Sequence, residues 1–217
     1  LLPEACSAFK IIIMYKFDYY TEKDPQKIIE FIKEHNFALV TGMGGTHPVA
    51  TQVPLGIETT GDKILLRGHI MRKTDHHLAF EKNNNVMVVF TGPHCFVSAA
   101  WYTNSSMGST WNYMTVQAKG TMRFLDARGT YNAVKELSDN YVGATGSASF
   151  DSLPPEYIDG MMKGIVGFEI EVESMENTFK LSQNRDLESQ RNIIEELMKR
   201  SDEHSRKIAR EMIKRLD

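Results

Sequence analysis

Three short segments hold most of the side chains suited to binding a ligand. The first, Arg67-Gly68-His69-Ile70-Met71-Arg72-Lys73-Thr74, lies where a strand pattern gives way to a helix pattern. The start of a helix offers unpaired N–H groups and the positive end of its dipole. Arg72 and Lys73 add cationic donors, and a guanidinium can grip a phosphate through two parallel hydrogen bonds. Gly68 would let a ligand approach the main chain. The chemistry this set suits is a phosphate monoester clamp, although a solvated basic turn would read the same way.

The second segment joins Trp101-Tyr102 to Thr110-Trp111-Asn112-Tyr113 across a polar loop, and both tryptophans of the chain fall within it. Aromatic faces beside amide groups suit a planar heteroaromatic ligand, which needs stacking and edge hydrogen bonds. A barrel core with a dimer contact is the competing reading. The third segment is Lys180-Leu181-Ser182-Gln183-Asn184-Arg185, the end of a strand ahead of a helix. Ser182 or Asn184 would serve as the cap of that helix, or Gln183 and Arg185 would reach a ligand.

Other chemistries lack their spacing. His69, His76, His77 and His94 lie within one region, but no H-E-x-x-H and no histidine with paired cysteines occurs, so no catalytic metal is expected. There is no G-x-S-x-G for serine hydrolysis and no P-loop. Gly42-Met43-Gly44-Gly45 reads as a hairpin turn and not as a dinucleotide fingerprint.

The elements that must position these segments can be read from periodicity. Asp24-Pro25 is a helix start, with Ile28, Ile29 and Ile32 at helical spacing and an end near His35-Asn36. Strands are expected at 37–42, 49–58 and 63–69, with a helix capped by Thr74 or Asp75 following. Strand 86–92 should continue past Pro93 to residue 99. In 111–126, Trp111, Tyr113, Thr115 and Gln117 share one face, and Asn112, Met114, Val116 and Ala118 the other. Gly120 would suit a bulge or a sharp barrel bend. Helices should start at Asp126 and Pro155, the last strands are 165–174 and 177–182, and the tail from Leu187 is helical. Strands in the middle with helices between and after them point to an antiparallel barrel, not a βαβ sheet.

A length of 217 residues, 41% of them hydrophobic, allows one domain with a sizeable core. The formal charge of -3 excludes a polycation held on DNA or an anionic membrane by bulk electrostatics. The stretch Arg191–Asp217 carries eight Lys/Arg against six Asp/Glu, less basic than an operator-binding surface. Cys6 and Cys95 form no C-x-x-C pair and read as free thiols of a reducing cytoplasm. No apolar run approaches the roughly 20 residues that cross a bilayer. Residues 1–13 are read as an N-terminal extension, because Met14 opens a segment that looks like a natural start.

Taken together, LLRGHIMRK, FTGPHCFVSAAWY, STWNYMTVQAKG, IVGFEIEVE and KLSQNR resemble the PaiB family, described as FMN-binding negative transcriptional regulators. That family is similar in turn to pyridoxamine 5′-phosphate oxidase and other split-barrel flavoproteins. The resemblance implies a mainly β, antiparallel split β-barrel over 14–185, with flanking helices and a helical tail over 186–217. It implies a homodimer with FMN at the subunit interface, and DNA as a partner. The FMN-binding residues it implies are His69, Arg72, Trp111, Asn112, Tyr113, Lys180, Gln183, Asn184 and Arg185, with Arg72 as the phosphate anchor; Arg67, Gly68 and Lys73 join them from the basic segment read above. The chain departs from the pattern at Thr74-Asp75, where Asn-Pro is common, and at Lys73, where a small residue is usual. Two alternatives accompany this reading: an FMN-dependent oxidoreductase acting on a small substrate, and a haem-binding split barrel with His69 or His94 as ligand.

Overall fold

A computed structural model describes residues 17–61, 63–104, 106–143, 145–146 and 149–216. The N-terminal extension 1–13 and Cys6 lie outside the described residues. In order, the elements are α1 (Pro25–Glu34), β1 (Phe37–Met43), β2 (Pro48–Pro54), β3 (Gly56–Thr60), β4 (Lys63–Met71), α2 (Asp75–Lys82) and β5 (Asn85–Val97). They continue with β6 (Thr110–Phe124), α3 (Ala127–Val142), α4 (Pro155–Gly164), β7 (Ile165–Lys180), α5 (Leu187–Lys199) and α6 (Glu203–Ile213).

The seven strands form one sheet in the order β2-β1-β5-β6-β7-β4-β3. β1 pairs antiparallel with β2 and β5, and β4 with β3 and β7. The two edge strands, β2 and β3, are consecutive in the chain and joined by Leu55 alone. A sheet whose edge strands are one residue apart in the chain must curl until they approach, as in a barrel. Leu55 is 1% exposed, and its N–H donates to the Asn36 carbonyl at 2.9 Å. The single strand expected over 49–58 is therefore two, because the chain changes edges just after Pro54, which has no N–H for a ladder.

Two compact units make up the chain: Asp24–Gly92 with Thr115–Asn177, and 17–23 with Pro93–Met114 and 178–216. Strands β5, β6 and β7 run through both. The first unit contributes the buried side chains Ile32, Val40, Leu66, Phe80, Val88, Phe90, Phe168 and Ile170. The second contributes Val97, Phe179, Leu181, Ile193, Leu197, Ile208, Ala209 and Met212. Burial along β6 alternates residue by residue, with Asn112, Met114, Val116 and Ala118 inside, as period-two patterning requires.

Local sequence sets the helix starts. Asp24, Thr74, Asp126, Asp186 and Asp202 each accept an N–H of the first turn, the last two from Ser189 and Ser205 at 2.8 Å. Ser182 and Asn184 are thus not the caps of α5. The tail is two helices, because Asp202 caps a second one after the break at Arg200–Asp202. The stretch 165–180 is one strand where two were expected. Its polar middle is engaged by β6: Thr121 donates to Glu173, and Lys119 lies 3.6 Å from Glu176. At Gly120, an added Cβ would lie 2.1 Å from the Glu171 carbonyl oxygen, so the bare backbone permits the close approach of β7.

Candidate functional site

The end of β4 presents the first cluster. Residues alternate across this strand, with Leu66, Gly68 and Ile70 buried and Arg67, His69 and Met71 more exposed. Gly68 is a packing glycine: an added Cβ would meet Leu55 and Phe168 at 2.9 Å. The Arg67 guanidinium is engaged. Its Nε donates to Glu169 at 2.7 Å, its Nη1 donates to Glu58, and Arg123 donates to the other Glu169 oxygen at 2.9 Å. Burial alone would raise the Glu169 carboxyl, but the hydrogen bonds from Arg67 and Arg123 outweigh it and hold Glu169 below its usual range.

Beyond Met71 the chain makes a tight turn whose main-chain groups are tied down. Arg72 N–H donates to the Gly164 carbonyl at 2.9 Å, and the Thr74 hydroxyl donates to the Met71 carbonyl at 3.0 Å. Lys73 adopts a left-handed φ of 62°, and its N–H donates to His77 Nδ1 at 3.4 Å. The amides of His76 and His77 are taken by Asp75 Oδ1 and Thr74 Oγ1. The first turn of α2 therefore spends these two amides on its own side chains. The side chains of Arg72 and Lys73 are exposed, and among the described residues neither has an ion-pair partner. Nearby on β4, His69 Nδ1 is buried without a hydrogen-bond partner, and burial lowers the pKa of the ring. Two free cations on a fixed turn suit a phosphate dianion.

The second and third segments come together in the other unit. Asn112 is fully buried and exchanges hydrogen bonds with Ser182, which has a left-handed φ of 63°. Lys180 Nζ donates to Thr110 Oγ1 at 2.6 Å; burial, and then the Arg185 charge, lower its pKa. Gln183 is spent on the end of β7: its amide oxygen accepts from Leu181 N–H at 2.7 Å, and its NH2 donates to the Phe179 carbonyl. Arg185 lies with its guanidinium carbon 4.4 Å from the centre of the Tyr102 ring, and its buried Nε has no partner. Asn184 is exposed, Tyr113 half-buried, and Trp111 54% exposed beside His94 and Phe96. Of the expected residues, this unit gathers Trp111, Asn112, Tyr113, Lys180, Gln183, Asn184 and Arg185. Arg67, Gly68, His69, Arg72 and Lys73 belong to the other unit.

His77, which holds the Lys73 turn, was not among the expected site residues. Its only sequence signal was its place three residues after the capping Thr74. Among the described residues no group of three or more His, Cys, Asp or Glu could hold a metal ion.

Residues 14–174 match the family model described as "Putative FMN-binding domain". The chain is 31% identical over 174 residues to protease synthase and sporulation protein PAI 2 of Bacillus subtilis, covering 80% of this chain and 84% of that one. In structure it is similar to the flavocytochrome Anf3 of Azotobacter vinelandii, with a TM-score of 0.59 at 12% identity over 76% of this chain and 72% of that one. It is also similar to the FAD and heme binding protein of Mycobacterium smegmatis, with a TM-score of 0.56 at 14% identity over 74% of this chain and 73% of that one. At such identities the structural likeness speaks for the fold, a split β-barrel. The chain belongs to the FMN-binding domain family whose model spans its strands β1 to β6 and most of β7, and FMN is the cofactor of that family.

Proposed function

We propose that this protein is an FMN-dependent homodimer in which Arg72 and Lys73 hold the cofactor's phosphate. The observation that carries the reading is the turn after β4, where two exposed cations have no acidic partner among the described residues while the amides of Arg72, Lys73, His76 and His77 are engaged. FMN fits because it ends in a phosphate dianion, which a guanidinium and an ammonium can both meet. When bound, the flavin supplies the redox chemistry, and the protein binds and orients it. The resemblance to PaiB assigns Trp111 and Tyr113 to a flavin at a subunit interface. Exposed Trp111 and Phe96, an apolar pair on the surface, support a dimer contact there.

The test is a fluorescence titration of FMN and of riboflavin, which lacks the phosphate, into wild type and Arg72→Ala. Loss of a charge-assisted hydrogen bond of about 1.5–3 kcal/mol should weaken FMN about tenfold or more. Riboflavin should bind both proteins alike. Equal weakening of both ligands would show that Arg72 supports the fold and does not hold phosphate.

A regulatory role is the second reading, favoured by the similarity to the Bacillus subtilis protein, whose name refers to sporulation. The helical tail gives little support for operator DNA as the partner. Lys199 pairs with Glu195 and Glu196, Arg210 with Glu203, Lys214 with Glu211, and Arg215 with Glu22 and Glu211. Half of the eight cations in 191–217 are thus paired with carboxylates, which lowers the charge the tail could offer to phosphates. Binding to DNA whose affinity falls steeply with salt would support the regulatory reading. Bleaching of the bound flavin by NAD(P)H would favour an oxidoreductase.

A further inference from the structure

We propose that His77 is the positioning residue of the phosphate turn, setting affinity for FMN through the backbone of Lys73 without touching the ligand. The inference rests on the reading of Arg72 and Lys73 as the phosphate site. A lysine in the left-handed region is disfavoured, because its Cβ crowds the neighbouring carbonyl. Something must hold it there, and the turn supplies few candidates.

Arg72 N–H is fixed by Gly164, and the Thr74 hydroxyl by Met71. The acceptor for Lys73 N–H is His77 Nδ1, one helical turn further on. His77 is itself immobilised. It is 6% exposed, its N–H donates to Thr74 Oγ1 at 3.3 Å, and its ring lies 5.0 Å from the Phe124 ring. Nε2 lies 3.8 Å from Glu81. To accept from Lys73, Nδ1 must carry no proton, so the ring hydrogen sits on Nε2, facing the Glu81 carboxylate. The turn that carries Arg72 and Lys73 is closed by this bond, and without it Lys73 relaxes towards negative φ and the two cations part.

The atom that matters is Nδ1, and the two amide residues separate it from Nε2. In His77→Asn the side-chain oxygen falls near the Nδ1 position. In His77→Gln it falls near Nε2. FMN and riboflavin are titrated into wild type, His77→Asn, His77→Gln, Lys73→Gly, the double variant Lys73→Gly/His77→Gln, and Arg72→Ala.

His77→Asn should bind FMN as wild type does. His77→Gln should weaken FMN about fivefold, the worth of one ordinary backbone hydrogen bond, and leave riboflavin unchanged. In the Lys73→Gly background the glutamine substitution should have no further effect, since glycine adopts the left-handed turn unaided.

Three results would overturn the inference. If Arg72→Ala lowers FMN affinity selectively while His77→Gln matches wild type, the phosphate site stands and His77 has no part in it. If both His77 variants weaken FMN and riboflavin alike, the residue is merely structural. If Arg72→Ala changes nothing, the phosphate reading itself fails and takes this inference with it.

Discussion

Asn112 and Ser182 exchange two hydrogen bonds in the buried interior: Asn112 Nδ2 donates to Ser182 Oγ at 3.0 Å, and Ser182 Oγ donates to Asn112 Oδ1 at 3.1 Å. Both residues are at most 2% exposed. The pair joins the beginning of β6 to the residues just after β7. Removing one member leaves the other buried without its partner, which costs about 1–3 kcal/mol. Asn112→Ala should therefore lower the denaturation midpoint clearly. The double variant Asn112→Ala/Ser182→Ala should be milder than the sum of the single variants Asn112→Ala and Ser182→Ala. Chemical denaturation of the four proteins measures this, and an Asn112→Ala protein as stable as wild type would contradict it.

Arg67 and Arg72 stand five residues apart in one basic segment and should behave differently. Arg67 is held by Glu169 and Glu58, so Arg67→Met should lower stability and leave selectivity for FMN over riboflavin intact. Glu169 adds a pH dependence. Its folded carboxyl sits below the usual range, so its contribution is present above the ordinary glutamate pKa of about 4.3. That contribution is lost as pH falls through the folded value. Acid unfolding followed by circular dichroism should show a shallower loss of stability for Glu169→Gln than for wild type.

Cys95 should be inert. Burial pushes its thiol up to about 12, and the nearby Arg200 charge offsets only part of this. Almost no thiolate forms at pH 8, so a disulfide-exchange reagent should label Cys95 only after denaturation. The sign for stability follows. An unfolded thiol releases its proton near pH 8.5, before the native one does, so stability falls as pH rises between about 8.5 and 12. Cys95→Ser should flatten that alkaline limb. Rapid labelling of the native protein at Cys95 would overturn the assignment.

Gly120→Ala should be among the most damaging single-methyl changes. The added carbon would lie 2.1 Å from the Glu171 carbonyl oxygen, and a main-chain atom in a paired strand has little room to yield. A loss of about 1–3 kcal/mol is expected from such overpacking, read as a fall in melting temperature. Gly45→Ala, which would meet nothing within 4 Å, is the control.

Much of the fold was legible because its signals are local. Asp24, Thr74 and Asp126 mark helix starts by their own chemistry, and alternation along 110–124 gives the faces of β6 directly. What stayed hidden depends on pairs distant in sequence. Arg67 reads as a free cation until strand register sets it opposite Glu169, 102 residues away. The strand break at Leu55 follows from which neighbour each half finds, and no residue pattern states that. Asp186 is hard to single out as the cap because Ser182 and Asn184, a few positions earlier, have the same residue preference. At the candidate site, an unusual lysine at position 73 was visible, but its left-handed backbone and the histidine that accepts from it were not.

The uninterrupted alternation of β6 also limits how this chain can change in length. Residues 110–114 of that strand serve one compact unit and 115–124 the other. Inserting or deleting a single residue within it would turn every following side chain to the opposite face, exposing Val116 and Ala118 or burying Lys119. Neither unit can absorb such an error on behalf of the other, because they share the same run of backbone. Among descendants of this sequence, gains and losses of residues should therefore gather in the exposed stretch 106–109 just ahead of the strand, and be absent from the strand itself.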